Sequence, residues 1–470
     1  LEYIGKKVKN TNMLCISDAN FGIFEDRDYE FSKSIRSVNE RTGYPRKTIQ
    51  AWAKNKSMKI IRIAETLGDM TSVTAAFQSL DPAVLKAIKR DNISTEAYRE
   101  IINHFNEKGI ESHAELILGL SAQTKESHLN DLRTVADLNV GQIWAYNCRM
   151  LEGAEMDLPG KREEYDVRTK YRLVDQGFGK YKNFLSFETE EMVRSTNTSS
   201  EEETFFFRPL HWLIYYAWNY RYHRGLLKHA QSFGINPIDF LVSVLDDVNS
   251  APKKVQKLLQ EFDHDSRSEW FDTVDDLVRH YSQPEVFQDI SNGGFGKLNF
   301  KYIFKVLIEC PEDFNKYMGE TARKLISKKS GVYSDKLDRS IEEVLRFENL
   351  LRINFSGIGI DQNFSLEGEK QDKFSFDILS WKKDNYKRSL MDYEKDKLVT
   401  YSFYLPRDQV DAINSNLRQF KNLTLNLTLR KMSEYMRISD LFYKVKPLEG
   451  VEYSNRIEDM GVQIGQKVDG

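Results

Sequence analysis

Several apolar, strand-like runs in the first 160 residues end in polar side chains. Asp18 and Asn20 follow the first run, Gln78 and Ser79 follow the third, and Asn147 lies near the end of the fifth. In parallel α/β sheets the carboxyl ends of the strands meet at one edge, where ligands bind. A single polar strand end is expected of any loop, but a series of them predicts a rim that holds a small polar ligand.

Glu115 lies inside the apolar run 112–118, immediately before Leu116-Ile117-Leu118. A carboxylate in such a run is costly to bury unless it is paired, hydrogen-bonded or in contact with a ligand. Glu115 is therefore the strongest candidate for a ligand-binding group. The same residues leave a second interpretation open, in which Glu115 and Asp18 act as acid and base of an α/β-barrel lyase or hydrolase.

The candidate residues depend on an alternation of strands and helices over residues 1–160. Strands are predicted at 13–17, 48–53, 72–77, 112–118 and 142–148, with the second ending at the polar pair 54–55. Helical segments separate them, and Asp81 and Pro82 are suited to the N-cap and first turn of one helix. This order predicts parallel βαβ units. Five strands are too few for an eight-stranded barrel, so an open or partial barrel, or a doubly wound sheet lacking a strand, is expected.

Two further regions are predicted beyond residue 160. Residues 161–332 are expected to be mostly helical, with an irregular polar stretch at 161–200, a linker at 195–203 and an aromatic helix at 205–222. Further helices are expected at 240–248, 252–262, 273–281 and 300–328. Residues 333–470 are expected to form a small α+β domain, with a helix at 408–420 and strands at 351–360, 374–381, 398–404 and 423–429.

Composition excludes some classes of function. The 470 residues carry a formal net charge of −3, which provides no electrostatic basis for binding nucleic acid. The three cysteines, Cys15, Cys148 and Cys310, are far apart, so neither a disulfide framework nor a CxxC metal site is expected. There is no signal peptide pattern and no run of 18 apolar residues, so a cytoplasmic protein without a transmembrane segment is expected.

Four sequence motifs resemble those of radical S-adenosylmethionine (SAM) enzymes, in the same order. Residues 77–86 read FQSLDPAVLK and are followed by Arg90, which is similar to the fourth-strand region of that superfamily. Residues 115–124, ELILGLSAQT, resemble its fifth-strand motif, in which a carboxylate precedes a Gly-Leu-Pro-Gly-x-Thr turn. Residues 151–156, LEGAEM, resemble the sixth-strand ending, and 17–22, SDANFG, resemble the second-strand ending of the subgroup that often carries a cobalamin-binding domain.

The resemblance implies a partial (β/α)6 TIM-like barrel that contains strands two to six and lacks the first. It implies S-adenosyl-L-methionine as cofactor, a [4Fe–4S] cluster, and cobalamin where an upstream domain is present. By position, Glu115 would bind the ribose hydroxyls, Arg90 the methionine carboxylate, and Asn147 and its neighbours the adenine. Gln78 and Ser79 would face cofactor or substrate, and Asp18 and Asn20 would lie near the methionyl amine.

The CxxxCxxC loop that ligates the cluster in this superfamily is absent from the sequence. Because the chain begins at Leu1 and the loop would follow the missing first strand, its cysteines are expected upstream, and this chain alone is expected to be inactive. The full-length protein would generate a 5′-deoxyadenosyl radical or transfer a methyl group to a small, lipid-like or sugar-like substrate, with an electron donor as partner. A degenerate, non-catalytic barrel that serves as a binding or scaffold module is the other alternative.

Overall fold

The computed structural model describes residues 1–7, 13–53, 57–92, 94–331, 334–355, 368–420, 423–435 and 441–448. The chain divides into two compact units, Leu1–Cys148 and Arg149–Gly470. The predicted polar pair at 54–55 lies outside the described residues, as do 356–360 of one predicted strand.

The first unit alternates strands and helices. Its elements are α1 (Glu2–Lys7), β1 (Met13–Phe21), α2 (Glu25–Thr42), β2 (Lys47–Trp52), α3 (Ser57–Leu67), β3 (Ser72–Gln78), α4 (Pro82–Ala87), α5 (Thr95–Glu107), β4 (Glu111–Leu118), α6 (Lys125–Asp137) and β5 (Gln142–Asn147). The strands are parallel and form two small sheets, β1-β2 and β3-β4-β5. The predicted α/β alternation is confirmed, and no closed barrel is formed by the described residues.

Local sequence signals account for the helix starts in this unit. The Asp81 side chain accepts hydrogen bonds from the amides of Ala83 and Val84, at 2.8 and 3.1 Å, with Pro82 in the first turn. Ser94 and Thr124 cap α5 and α6 in the same way. Because each cap satisfies amides that have no partner within the helix, these helices begin where the sequence predicts.

The second unit has one short helix and a long hairpin near its start and continues mostly as helices. Its elements are α7 (Pro159–Glu164), β6 (Arg168–Tyr181), β7 (Phe184–Ser195), α8 (Glu201–Leu213), α9 (Arg224–Gln231), α10 (Pro237–Asp246), α11 (Lys253–Ser268), α12 (Val274–Tyr281), α13 (Pro284–Ser291), α14 (Leu298–Glu309), α15 (Pro311–Ser330), α16 (Asp335–Leu351), β8 (Lys370–Phe376), α17 (Ile378–Lys383), β9 (Glu394–Tyr404), α18 (Arg407–Gln419), α19 (Leu425–Tyr435) and β10 (Lys444–Pro447). The last three strands form one antiparallel sheet in the order β10-β9-β8.

The irregular stretch predicted at 161–200 is wrong, because β6 and β7 form an antiparallel hairpin there. These strands are polar because charged residues face each other across the hairpin, as Arg172 faces Glu190, and such pairs stabilise a strand that has few apolar side chains. The predicted strand at 423–429 is also wrong. Its alternating leucines belong to helix α19, in which Leu429 and Met432 are fully buried against the rest of the unit.

Three more boundaries differ from the prediction. The single helix expected at 300–328 is two helices, because Pro311 starts α15 and cannot continue α14. The aromatic helix expected at 205–222 is α-helical to Leu213 and then forms a π-helical turn, Ile214–Asn219. Residues 377–381, predicted as strand, are the start of α17, and the described part of the strand expected at 351–360 is not extended into a sheet.

Candidate functional site

The sheet β3-β4-β5 has one face covered by helices and one open face. Ala114 and Leu116 point to the covered face, where α5 and α6 pack, and both are fully buried. The alternate residues form rows across the three strands on the open face. One row joins Ala76, Glu115 and Trp144, and all three are half-buried. The open face is where this sheet can present side chains to a ligand.

Glu115 is the carboxylate in this row, and Arg90 is in electrostatic contact with it. The Glu115 charge also raises the pKa of Tyr146, which burial has already raised. Burial lowers the pKa of Arg90, and the neighbouring Tyr98 and Glu115 partly offset that effect. The structure therefore brings Glu115 and Arg90 together with the phenol groups of Tyr98 and Tyr146.

Arg90 is held by the end of strand β3. Its guanidinium donates to the carbonyl of Ala76, and its Nε donates to Oδ1 of Asn92 at 3.2 Å. Asn92 in turn donates to the carbonyls of Phe77 and Ser79, at 3.1 and 2.8 Å. These bonds fix the segment after α4 against the strand end, so the position of Arg90 follows from the backbone of β3.

Ser79 is completely buried and its hydroxyl donates to Asp131 Oδ2 at 2.6 Å. The amide of Leu80 donates to the other oxygen of Asp131, at 2.9 Å. Burial raises the pKa of Asp131 from 3.8 to about 6, although these two hydrogen bonds act in the opposite direction. Ser79 thus orients the turn after β3 by binding Asp131 on α6.

Two turns at the carboxyl ends of β3 and β4 have a left-handed backbone. Gln78, the last residue of β3, is half-buried and has φ of 61°. In the turn after β4, Gly119 has φ of 95° and Ala122 has φ of 63°. The amide of Gly119 donates to Gln123 Oε1 at 2.7 Å, which closes this turn. Ala122 occupies the place of the glycine in the motif that the turn resembles, at a position where a Cβ atom is unfavourable.

The remaining predicted residues lie on other strands. Asp18 and Asn20 are within β1 rather than after it, since that strand continues to Phe21. Asp18 accepts from Arg27 at 2.9 Å and from the amide of Asn20 at 2.9 Å. Asn147 ends β5, in register with Leu118 of β4. Asp18 and Asn20 therefore belong to the β1-β2 sheet, whereas the other predicted residues belong to β3-β4-β5.

Residue patterns did not identify Asp131, Trp144 or Tyr146 as members of the site. Asp131 could have been found from its position among the apolar residues of α6, since it lies between Leu129 and Leu132. The two aromatic residues stack on the open face, with ring centroids 6.2 Å apart and planes inclined by 24°. Their spacing of two places both rings on one face of β5. Because Trp144 is in register with Glu115, this is also the face of Glu115.

The residues present do not fit an iron–sulfur cluster. Cys148 is buried, which raises its pKa to about 12, whereas cluster ligands are thiolates. Cys15 is exposed on β1, and Cys310 belongs to the second unit. In the part of the chain that the structure describes, no group of three or more His, Cys, Asp and Glu side chains is placed to hold a metal ion.

The open face does fit S-adenosyl-L-methionine. That molecule combines a ribose diol, an adenine ring and a zwitterionic methionine tail. The Glu115 carboxylate can accept from the diol, the Trp144 and Tyr146 rings offer flat apolar surface, and Arg90 supplies a cation. None of the helices within the described ranges is long and apolar enough to cross a membrane.

Comparison with known proteins identifies two curated relatives. The chain is 32% identical over 195 residues, 40% of this chain and 28% of the relative, to the 2-(S-pantetheinyl)-carbapenam-3-carboxylate methyltransferase of Streptantibioticus cattleyicolor. It is 32% identical over 189 residues, 39% of this chain and 27% of the relative, to the cobalamin-dependent radical SAM methyltransferase TokK of Streptomyces tokunonensis. The chain thus spans little more than a quarter of either relative. No protein-family model matches it.

Among solved structures, the archaeal Methanocaldococcus infernus Elp3 with an N-terminal deletion matches 35% of this chain and 43% of its own. Its sequence identity is 19% and its TM-score is 0.29, too low to establish a common fold. The similarity to TokK, a radical SAM enzyme by name, confirms the resemblance to the radical SAM superfamily that the four motifs indicated. Within that superfamily, the part of the chain that matches is similar to methyltransferases, one of them cobalamin-dependent by name.

Proposed function

We propose that this chain is part of a radical SAM methyltransferase, and that the open face of β3-β4-β5 binds S-adenosyl-L-methionine. The similarity to two methyltransferases at 32% identity is the observation that carries this proposal. The strands of the first unit would then be part of a TIM-like barrel. Cobalamin belongs to the proposal through the name of one relative, and an electron donor belongs to it through the resemblance of the four motifs.

The residues of the open face would bind and orient the cofactor. Glu115 would accept hydrogen bonds from both ribose hydroxyls, which fixes the sugar relative to the sheet. Arg90 would pair with the methionine carboxylate, and its bond to the Ala76 carbonyl would hold the guanidinium in one place. Trp144 and Tyr146 would exclude water from the apolar side of the ligand. When bound, S-adenosyl-L-methionine supplies an electrophilic methyl group and a sulfonium bond that can be cleaved by reduction.

The test is binding of adenosine-containing ligands to the purified chain. S-adenosylhomocysteine and 5′-methylthioadenosine both carry the ribose diol, and neither needs a cluster to present it. Calorimetric titration should give saturable binding of both, with Glu115→Gln weakening each by at least about tenfold because one strong acceptor is lost. Glu96→Gln, an exposed glutamate on the outer helix α5, is the matched control and should leave binding unchanged.

The two ligands also separate the roles of Glu115 and Arg90. Only S-adenosylhomocysteine has the amino-acid carboxylate, so Arg90→Gln should weaken its binding and leave 5′-methylthioadenosine unaffected. Equal affinity of wild type and Glu115→Gln for both ligands would refute the ribose role. Absence of saturable binding by either ligand would refute the proposed cofactor site.

A further inference from the structure

The second unit contains a cluster of arginine side chains, and the hairpin β6–β7 contributes several of its residues. Arg172 on β6 lies directly opposite Glu190 on β7 and donates to its carboxylate. The backbone of Arg149 forms an isolated antiparallel bridge with Met192 of β7. The Arg149 side chain donates to the other oxygen of Glu190. Glu190 is 7% exposed, so two guanidinium groups share one buried carboxylate.

Helix α8 adds three more side chains from one of its faces. Glu201, Phe205 and Arg208 are spaced four and three residues apart, which places them on the same side of the helix. Glu201 accepts from the Nε of Arg194 at 3.2 Å, and the Phe205 ring lies 4.5 Å from the Arg194 guanidinium. The helix is fixed to the hairpin, because Thr204 Oγ1 donates to the Arg194 carbonyl at 3.0 Å.

Trp270 lies at the centre of the cluster. The guanidinium carbons of Arg194, Arg172 and Arg208 are 4.1, 5.3 and 5.7 Å from its ring. Glu269, the residue before it, accepts from Arg208 and lies 3.5 Å from Arg172. Burial lowers the pKa of Arg208; the Glu269 charge partly offsets this effect, and the Arg172 charge adds to it.

The charges of this cluster do not cancel. Four arginines face three glutamates, which leaves one excess positive charge: Arg149, Arg172, Arg194 and Arg208 against Glu190, Glu201 and Glu269. Toward solvent, Lys170 and Arg267 are accompanied by three carboxylates, Asp272, Glu202 and Asp263, so the excess belongs to the less exposed members alone. A buried excess charge is unfavourable unless a counter-ion balances it.

The hydrogen bonds of the cluster are also incomplete. The Arg194 side chain is 1% exposed, and neither its Nη1 nor its Nη2 has an acceptor in the structure. The Nε atoms of Arg208 and Arg149 are likewise buried without an acceptor. Because unmade hydrogen bonds of a buried guanidinium are costly, the Arg194 terminus is expected to have a partner that the protein itself does not supply.

We propose that this arginine cluster binds the carboxylate of a small molecule, with the Nη1–Nη2 edge of Arg194 as the principal contact. Those two nitrogens present parallel N–H groups, which match the two oxygens of a carboxylate. One bound carboxylate would also neutralise the single excess charge. Phe205 and Trp270 hold the Arg194 guanidinium between them, so little side-chain freedom would be lost when the ligand binds.

The direction of entry follows from the exposure of the members. Arg149 and Arg172 are 31% and 26% exposed, whereas Arg208 is 13% and Arg194 1% exposed. A carboxylate would enter past Arg149 and Arg172 and reach Arg194 at the buried end. Because Arg194 is this deeply buried, a small ligand could contact it, whereas the surface of another protein could not. The site involves residues of the second unit alone and does not depend on the proposed cofactor site.

Benzoate is the probe, because it combines one carboxylate with a flat ring, and benzyl alcohol is its uncharged counterpart. Calorimetric titration of the full chain, at ionic strength matched with chloride, should give saturable binding of benzoate and none of benzyl alcohol. Arg194→Met should weaken benzoate binding at least about tenfold. Its melting temperature should not fall below that of wild type, because a buried charge with unmade hydrogen bonds is removed.

Arg149→Gln, at the more exposed end of the cluster, is a second variant that tests the site even if Arg194→Met does not fold. It should weaken benzoate binding severalfold. Arg162→Gln is the matched control. That arginine pairs with Glu191 and Asp157, and Glu191 faces the opposite side of β7 from Glu190. Benzoate binding that is unaffected by Arg149→Gln, or equally weakened by Arg162→Gln, overturns the proposal. So does equal binding of benzyl alcohol.

Discussion

Replacing Asp131 by asparagine is expected to stabilise the first unit at neutral pH and to change its response to pH. The Asp131 side chain is 2% exposed and accepts two hydrogen bonds, from Ser79 Oγ and from the Leu80 amide. Burial nevertheless raises its pKa from 3.8 to about 6. Asparagine can accept from the Leu80 amide and donate to Ser79, so the variant keeps both contacts without a buried charge.

The magnitude follows from linkage between protonation and folding. A pKa that is higher in the folded than in the unfolded state means that the folded protein binds the proton more tightly. The resulting stability is fully present below pH 3.8 and is lost as the pH rises through about 6. With ~1.4 kcal/mol for each tenfold change, the loss between these limits is about 3 kcal/mol.

The assay is urea unfolding of wild type and Asp131→Asn between pH 4 and pH 7, followed by hydrogen exchange of the amides in β3, β4 and β5. Exchange reports on the first unit by itself, which matters because a chain with two compact units need not unfold in one step. The free energy of unfolding of the variant minus that of wild type should increase with pH by up to about 3 kcal/mol. Asp137→Asn, at the exposed end of the same helix, is the control for the same change of side chain.

A difference between Asp131→Asn and wild type that stays constant from pH 4 to pH 7 would refute this reasoning. It would mean that the two hydrogen bonds compensate the burial of the carboxylate completely. If the stability of the variant relative to wild type decreased as the pH rises, the folded protein would favour the ionised form of Asp131.

Three further substitutions test particular features of the fold. Ala122→Gly should stabilise the first unit by about 0.5–1 kcal/mol, because the φ of 63° strains alanine but not glycine, and an unchanged urea midpoint would contradict this. Asp81→Ala should destabilise it by about 1 kcal/mol through loss of the α4 cap, whereas Asp81→Ser should recover most of that loss in the same titration. Trp212→Ala should lower the free energy of unfolding of the second unit by about 3–5 kcal/mol, since this side chain is fully buried against Phe262. Val278→Ala, at a site 37% exposed, is its control, and comparable losses for both in calorimetry would exclude a central role for Trp212.

Much of the first unit could be predicted from sequence because its signals are local. Strands with apolar runs and helices with a capping residue are determined by neighbours within a few positions, as at Asp81 and Thr124. The proximity of Arg90 to Glu115 could be expected only from the order of the motifs. Their contact requires β3 and β4 to lie side by side with Ala76 in register with Glu115, and no local pattern fixes that register.

The hairpin β6–β7 shows where sequence reasoning fails. Its strands look irregular in sequence because charged and polar residues interrupt the apolar ones, and the pairing of Arg172 with Glu190 exists only once the two strands meet. The same holds for α19. Its alternating leucines predict a strand from sequence, but in the structure they belong to a helix in which Leu429 is fully buried. In both cases a contact distant in sequence outweighs the local preference.

The sequence by itself determined the alternation of strands and helices, the positions of the caps and the relationship to radical SAM enzymes. The strands, helices and caps follow from residue types at short spacing, and the relationship follows from the order of four motifs along the chain. The tertiary structure alone decided that Ser79 binds Asp131, that the open face of the sheet carries Glu115 beside Trp144, and that three arginines surround Trp270. Burial and neighbouring charge set the chemistry of these groups, and both exist only when segments far apart in the chain are packed together.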